Sequence, residues 1–179
     1  MRNLIRKVQP NVCVEIGVFA GKSLLNTAIA LRDNGLGLVY GIDPWRKCDA
    51  LNGVAPNESP EYWDTIDLDA VHYDCMKAIE QFELDNVVII RAKSELAEWL
   101  FRPASVDILY IDGGHAEKIA LQDCELYFPK VKLGGHIWMD DTNYDSLQKS
   151  VSFMRSQCVL VKDFGHCQLY KKQYEMERS

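Results

Sequence analysis

Residues 12–25 read VCVEIGVFAGKSLL. An apolar run, a turn with Gly17 and Gly21, and a Lys-Ser pair opening a helical pattern follow one another without a break. This is how a strand–turn–helix unit begins, with its turn facing a ligand. A phosphate loop spells G-x-x-x-x-G-K-[ST] and needs four residues between its glycines. Here three stand between them: Val18, Phe19 and Ala20. A dinucleotide loop needs a third glycine where Phe19 stands. Glu15, just before the turn, repels phosphate. The loop is therefore complete for a different ligand, one that carries positive charge.

Further along, apolar strand-like runs alternate with amphipathic helical stretches. Strands are expected at 12–16, 38–42, 86–90, 106–111 and 136–139, the last after a Leu133-Gly134-Gly135 turn. Helices are expected at 22–33, 69–83, 94–101, 116–128 and 144–155. Asn34-Gly35 stops the first helix and Ser94 serves as N-cap of the third. The continuous β-branched run NVVII predicts a strand covered on both faces. Leu96, Trp99, Leu100 and Phe101 stand at helical spacings and are expected in the core. The runs 158–163 and 167–172 flank Phe164-Gly165-His166, which predicts an antiparallel hairpin. The fold class is α/β: a doubly wound, mostly parallel seven-stranded sheet with an antiparallel C-terminal hairpin, in a single domain over 1–179. Residues 44–68 read as one long irregular segment with three prolines and three large aromatics. With its flank to residue 72 it is a candidate lid over the ligand end.

The chain has 179 residues, a formal charge of −6 and a pI near 5.2. That balance disfavours nucleic acid or an anionic membrane surface as partner. No apolar run is long enough for a membrane span, and the first residues lack the apolar core of a secretory signal. The six cysteines form no C-x-x-C and read as reduced thiols, consistent with a cytoplasmic protein. The terminal KKQYEMERS reads as a solvated end.

In open α/β sheets the ligand sits beyond the carboxyl ends of the strands. The residues there are Glu15 to Ser23, Asp43-Pro44-Trp45, Lys93-Ser94-Glu95, Asp112 to His115 and Asp140 to Tyr144. All five groups are polar or glycine-rich. Asp43 ends the second strand, 22 residues after Gly21, where an acid binds ribose hydroxyls. A nucleoside with a cationic part and no phosphate fits these pieces, and S-adenosylmethionine is one.

Together E-I-G-x-x-x-G-x-S, I-D-P-W, D-G-x-H, L-x-x-G-G and D-D resemble the class I S-adenosylmethionine-dependent methyltransferases over residues 10–171. The chain is similar both to bacterial antibiotic-sugar O-methyltransferases and to catechol O-methyltransferase-like enzymes. The resemblance implies a Rossmann-like methyltransferase fold. It places Gly17, the Phe19 backbone and Ser23 around the methionine part, with Ser23 on the carboxylate. Gly21 lets the following helix start tight, and Glu15 supports the ammonium. It places Asp43 on the ribose, Trp45 beside the adenine, and Ser94 and Glu95 at the adenine edge. Asp112, Asp140 and Asp141 hold a divalent cation in metal-dependent relatives, and Mg²⁺ suits three carboxylates. Asp112 also borders the cofactor, and together with His115 it forms the implied catalytic pair. His115 stands where the catechol branch keeps its general base, and a neutral imidazole suits that task near pH 7.

The implied acceptor is a hydroxyl of a small molecule or sugar. Glu117 and Asp141 depart from the two branches, which have Tyr and Asn there. An NAD(P)-dependent oxidoreductase on a similar sheet and a non-catalytic S-adenosylmethionine-binding module are the alternatives. Monomer and dimer are both open.

Overall fold

A computed structural model describes residues 1–56 and 58–173, so most of the terminal KKQYEMERS stretch lies outside the described residues. The element order is α1 (Arg2–Val8), β1 (Val12–Ile16), α2 (Lys22–Asn34), β2 (Leu38–Ile42), α3 (Lys47–Asn52), α4 (Pro60–Thr65), α5 (Leu68–Gln81), β3 (Val87–Ile90) and α6 (Ser94–Ala97). Then come β4 (Val106–Ile111), α7 (Glu117–Tyr127), β5 (Val131–Met139), α8 (Gln148–Gln157), β6 (Cys158–Asp163) and β7 (Gln168–Lys172). The seven strands form one sheet in the order β3-β2-β1-β4-β5-β7-β6. β1 pairs in parallel with β2 and β4, β2 with β3, and β4 with β5. β7 runs antiparallel to both β5 and β6. The expected seven strands and closing hairpin are all present.

Alternate strand residues point to opposite faces, and two cores result. Val14, Ile16, Leu109 and Ile111 pack against Ala120, Cys124 and Tyr127 of α7 and Val151 and Met154 of α8. Cys13, Val39 and Ile108 pack against Leu24, Ala28 and Leu31 of α2 and Leu68 and Cys75 of α5. α2 ends on Gly35 in the left-handed conformation, φ 73°, whose N–H caps the last carbonyls. The order reverses between β1 and β4. Chains leaving the two strands on either side of that point diverge and open a crevice.

Several expectations give way. β3 is an edge strand, so one flank faces solvent and Val88 is exposed. The Leu133-Gly134-Gly135 turn lies inside β5, where a register shift against β4 lets the strand bend without stopping. Residues 44–68 are not irregular throughout: about half of the segment is helical, as α3 and α4. α1 covers one flank with Ile5 buried, although its short polar pattern gave no helix signal. Lys93, not Ser94, is the N-cap of α6, and α6 gives way after one turn to a 3₁₀ turn at 98–100. With three residues per turn the helical spacing of the apolar residues fails. Only Phe101 reaches the core, while Trp99 is 83% exposed and Leu96 and Leu100 are exposed beside it. Among the described residues, no helix is long and apolar enough to cross a membrane.

Candidate active site

A cavity of about 940 Å³ opens at the carboxyl ends of β1, β2, β4 and β5. Its wall includes Gly17, Phe19, Ser23, Asp43, Ser94, Glu95, Asp112, His115, Asp140 and Asp141. The segment after β2 contributes Asp49, Gly53, Glu58 and Trp63, so the candidate lid does border the site. Gly53 packs against Gly114, and its carbonyl accepts the Ala116 N–H at 2.8 Å. The segment after β2 thereby rests on the D-G-G-H loop.

The β1–α2 turn is held from below. Asp43 Oδ2 accepts the N–H groups of Val18 and Phe19 at 3.0 and 2.9 Å, and Oδ1 accepts the Trp45 N–H at 2.7 Å. Phe19 takes a left-handed φ of 47° and its carbonyl accepts the Trp45 indole N–H. Gly17, φ 82°, lies so close to β4 that an added Cβ would stand 1.9 Å from the Asp112 carbonyl oxygen. At Gly21 an added Cβ would meet Cys75 Sγ of α5 at 2.6 Å, so the tight start of α2 is toward α5. Trp45 departs from its expected place. Its indole is buried against His72, with ring centroids 4.6 Å apart, and is not part of the cavity wall. The hydrogen bond to Phe19 turns it under the loop.

Glu15 is 1% exposed and lies behind the wall. Ser23 Oγ lies 2.6 Å from its Oε1, while Oε2 is buried without a partner. Burial pushes the carboxyl up to about 8, against the opposing effect of the Ser23 bond. Asp112 rises to about 7, first through burial and then through the charges of Asp140 and Asp141. A second buried acid, Asp123 of α7, accepts the Ser94 hydroxyl and is pushed by burial to about 7. Its position in mid-helix carried no motif, so the sequence gave no sign of it.

His115 is bound on both nitrogens: Nδ1 lies 2.5 Å from Glu58 Oε1 and Nε2 lies 2.9 Å from Asp141 Oδ2. Burial alone would lower its pKa, but the two carboxylates outweigh it and raise it to about 9. In this arrangement the ring is an imidazolium at neutral pH, contrary to the neutral base expected. Glu58 comes from the irregular stretch between α3 and α4, where no spacing rule could single it out.

The two neighbouring aspartates part company. Asp141 has a left-handed φ of 51° and joins Asp112 and His115, whose ligand atoms lie within 4.8 Å of one another. Asp140 instead accepts the Tyr110 hydroxyl at 2.5 Å, with Asp112 Oδ2 3.2 Å from the same oxygen. The expected three-carboxylate cluster is thus, as the side chains stand, two carboxylates and an imidazole.

Known proteins share this architecture. NovP, an O-methyltransferase, superposes with a TM-score of 0.72 at 14% identity, covering 97% of this chain and 79% of its own. The SAH-bound methyltransferase PaMTH1 of Podospora anserina gives 0.69 at 13%, with coverage of 97% and 76%. TomG, an O-methyltransferase of Streptomyces achromogenes solved with SAM, gives 0.66 at 13%, with coverage of 97% and 78%. In sequence, the uncharacterized protein R132 of Acanthamoeba polyphaga mimivirus is 29% identical over 150 residues, 84% of this chain. The chain spans 59% of the length of that relative. A family model described as a methyltransferase domain matches residues 14–142. By that match, which takes in every strand-end group from Glu15 to Asp141, the chain belongs to the methyltransferase-domain family.

Proposed function

We propose that the chain is an S-adenosylmethionine-dependent methyltransferase acting on a hydroxyl of a small molecule or sugar. The observation that carries this reading is the Gly17–Ser23 turn. It is pressed onto Asp112, beside a large cavity rich in carboxylates and without a phosphate cradle. Such a wall suits a cationic nucleoside. NovP and TomG, both named as O-methyltransferases, share the fold, which favours oxygen as the acceptor atom.

When bound, the cofactor supplies an electrophilic methyl group on a positively charged sulfur, and Mg²⁺ would lower the pKa of an acceptor hydroxyl. Asp112 and Asp141 offer the hard oxygen donors that such an ion takes. His115 is the acceptor for the hydroxyl proton once the substrate takes the place of Asp141 at Nε2. Losing that bond removes one of the two carboxylates that hold the imidazolium, so the Nε2 proton is released to solvent, while Glu58 keeps Nδ1–H oriented. The carboxylate–imidazole pair then has its lone pair toward the cavity. The wall and lid exclude water and align the reacting atoms, which supplies most of the acceleration.

Calorimetric titration with S-adenosylhomocysteine, NAD and ATP, with and without Mg²⁺, is expected to give heat with the first alone. Absence of that heat would end this reading. Turnover of an accepted substrate that ignores Mg²⁺ would remove the metal.

Glu15 provides a sharper test. A serine hydroxyl has one proton. Ionised Glu15 takes that proton from Ser23, whereas protonated Glu15 donates to Ser23 and frees its hydroxyl for the methionine carboxylate. Affinity for S-adenosylhomocysteine should therefore fall above about pH 8, by up to about tenfold per pH unit. Glu15→Gln donates to Ser23 at every pH and should lack that loss. The same shift acts on the free protein. A carboxyl held above its unfolded value stabilises the fold fully below about pH 4.5, and the contribution is lost as pH rises through about 8. Parallel pH profiles of affinity in the two proteins would refute the assignment.

A further inference from the structure

We propose a second metal site, for a borderline-soft divalent cation such as Zn²⁺, formed by Asp140, His166 and Cys167. β5 and β7 are antiparallel, with Met139 opposite Gln168. Asp140 and Cys167 are the residues just beyond that last pair of the ladder, and the hairpin turn adds His166. A carboxylate oxygen, an imidazole nitrogen and a thiol sulfur, one from each residue, lie within 4.8 Å of one another.

The backbone that carries them is fixed. The His166 carbonyl accepts the Thr142 N–H at 2.8 Å, and the Cys167 carbonyl accepts the Phe164 N–H at 2.9 Å. The Gly165 N–H is bound by Asp163 at 2.8 Å. The turn therefore places its side chains against the end of β5 whether or not an ion is present. Asp140 is oriented as a ligand carboxylate usually is, by hydrogen bonds to its own oxygens. Tyr110 O–H donates to Oδ2 and the Asp141 N–H to Oδ1. Each oxygen keeps a lone pair, and outer partners of this kind fix ligand geometry.

The donor set selects the ion. Thiolate and imidazole suit zinc or cobalt, and Mg²⁺ rejects them. Bonds of ~2.0–2.3 Å in a tetrahedron place donors roughly 3.3–3.8 Å apart. Closing the cluster by about 1 Å, mainly through the exposed His166, completes three corners and leaves water the fourth. Cys167 releases its proton to solvent on binding, so no redox change is involved. This site is separate from the Asp112–His115–Asp141 cluster and does not depend on the methyltransferase reading. The Tyr110 hydroxyl stands between the two, near both Asp140 and Asp112.

The test is Zn²⁺ binding by equilibrium dialysis on the full chain, in a Cys48→Ser background because Cys48 is an exposed thiol. One Zn²⁺ per chain is expected, undisturbed by excess Mg²⁺. His166→Ala and Cys167→Ser should each weaken it by more than about tenfold, and Tyr110→Phe by about tenfold. His115→Gln should leave it unchanged. With Co²⁺ as probe, a thiolate-to-metal charge-transfer absorption should appear and vanish in Cys167→Ser. His166 is exposed, so its variant is expected to fold even if a change at buried Cys167 disturbs packing. Zn²⁺ binding that survives both substitutions, or that is lost in His115→Gln instead, overturns the proposal.

Discussion

Gly17→Ala is expected to yield a protein that unfolds at markedly lower denaturant and gives no heat with S-adenosylhomocysteine. Two costs combine. The residue sits at φ 82°, where a Cβ is strained by ~1–2 kcal/mol. The new methyl would also stand 1.9 Å from the Asp112 carbonyl oxygen and 2.8 Å from the Gly113 nitrogen. Both are backbone atoms of the loop that follows β4, so no side chain can swing aside. Overpacking of this sort adds ~1–3 kcal/mol or more, and the strand ends must separate where the cofactor would lie. Gly35→Ala is the control. Gly35 has a similar φ of 73° but nothing within 4 Å of an added Cβ, so it should lose only about 1 kcal/mol and bind normally. Equal midpoints for Gly17→Ala and Gly35→Ala would show that the close approach to β4 carries no energetic weight.

Asp43→Ala should be the other severe change. It removes the acceptor of three backbone N–H groups, those of Val18, Phe19 and Trp45. Hydrogen bonds to a charged group are worth ~1.5–3 kcal/mol each. The loop is only half-buried and water can replace part of the loss, so a net cost of about 2–4 kcal/mol is reasonable. Asp43→Asn retains one carbonyl oxygen and should lie between. The variants also decide what Asp43 does for the cofactor. If its carboxylate holds the loop only, Asp43→Asn should weaken S-adenosylhomocysteine and a 2′,3′-dideoxy analogue by the same factor. If it also binds the ribose, with the lone pair left on Oδ1, the penalty should shrink for the analogue. Unchanged stability and affinity in Asp43→Ala would remove both roles.

The sheet was legible because it is written in local, periodic terms. Strands such as VCVEI and VDILYI alternate with helices of 3.6-residue period, and glycines stop or turn the chain between them. Once that alternation is read, the topology follows, and topology alone brings Glu15, Asp43, Ser94, Asp112 and Asp140 to one end. Short elements were less legible. α1 and α6 each cover two turns or fewer, too little for a period to emerge, and Trp99 was misplaced for that reason. β3 looked doubly covered because β-branched composition does not tell an edge strand from a central one.

Side-chain direction and pairing lay beyond the sequence. A motif such as D-D says that two carboxylates follow a strand. A left-handed turn at Asp141 sends them different ways, one toward His115 and the other toward Tyr110, His166 and Cys167. Protonation was equally hidden. The pKa of His115 is raised by carboxylates far away in the chain, and that of Glu15 is raised by the loss of water around it. The sequence by itself determined the fold, the ligand end of the sheet and the absence of a phosphate loop, all of which depend on spacing along the chain. Only the tertiary structure decided which acids face the cavity, which clamp the backbone and which pair with histidine. Those outcomes depend on distances of a few ångströms between residues that the sequence keeps far apart.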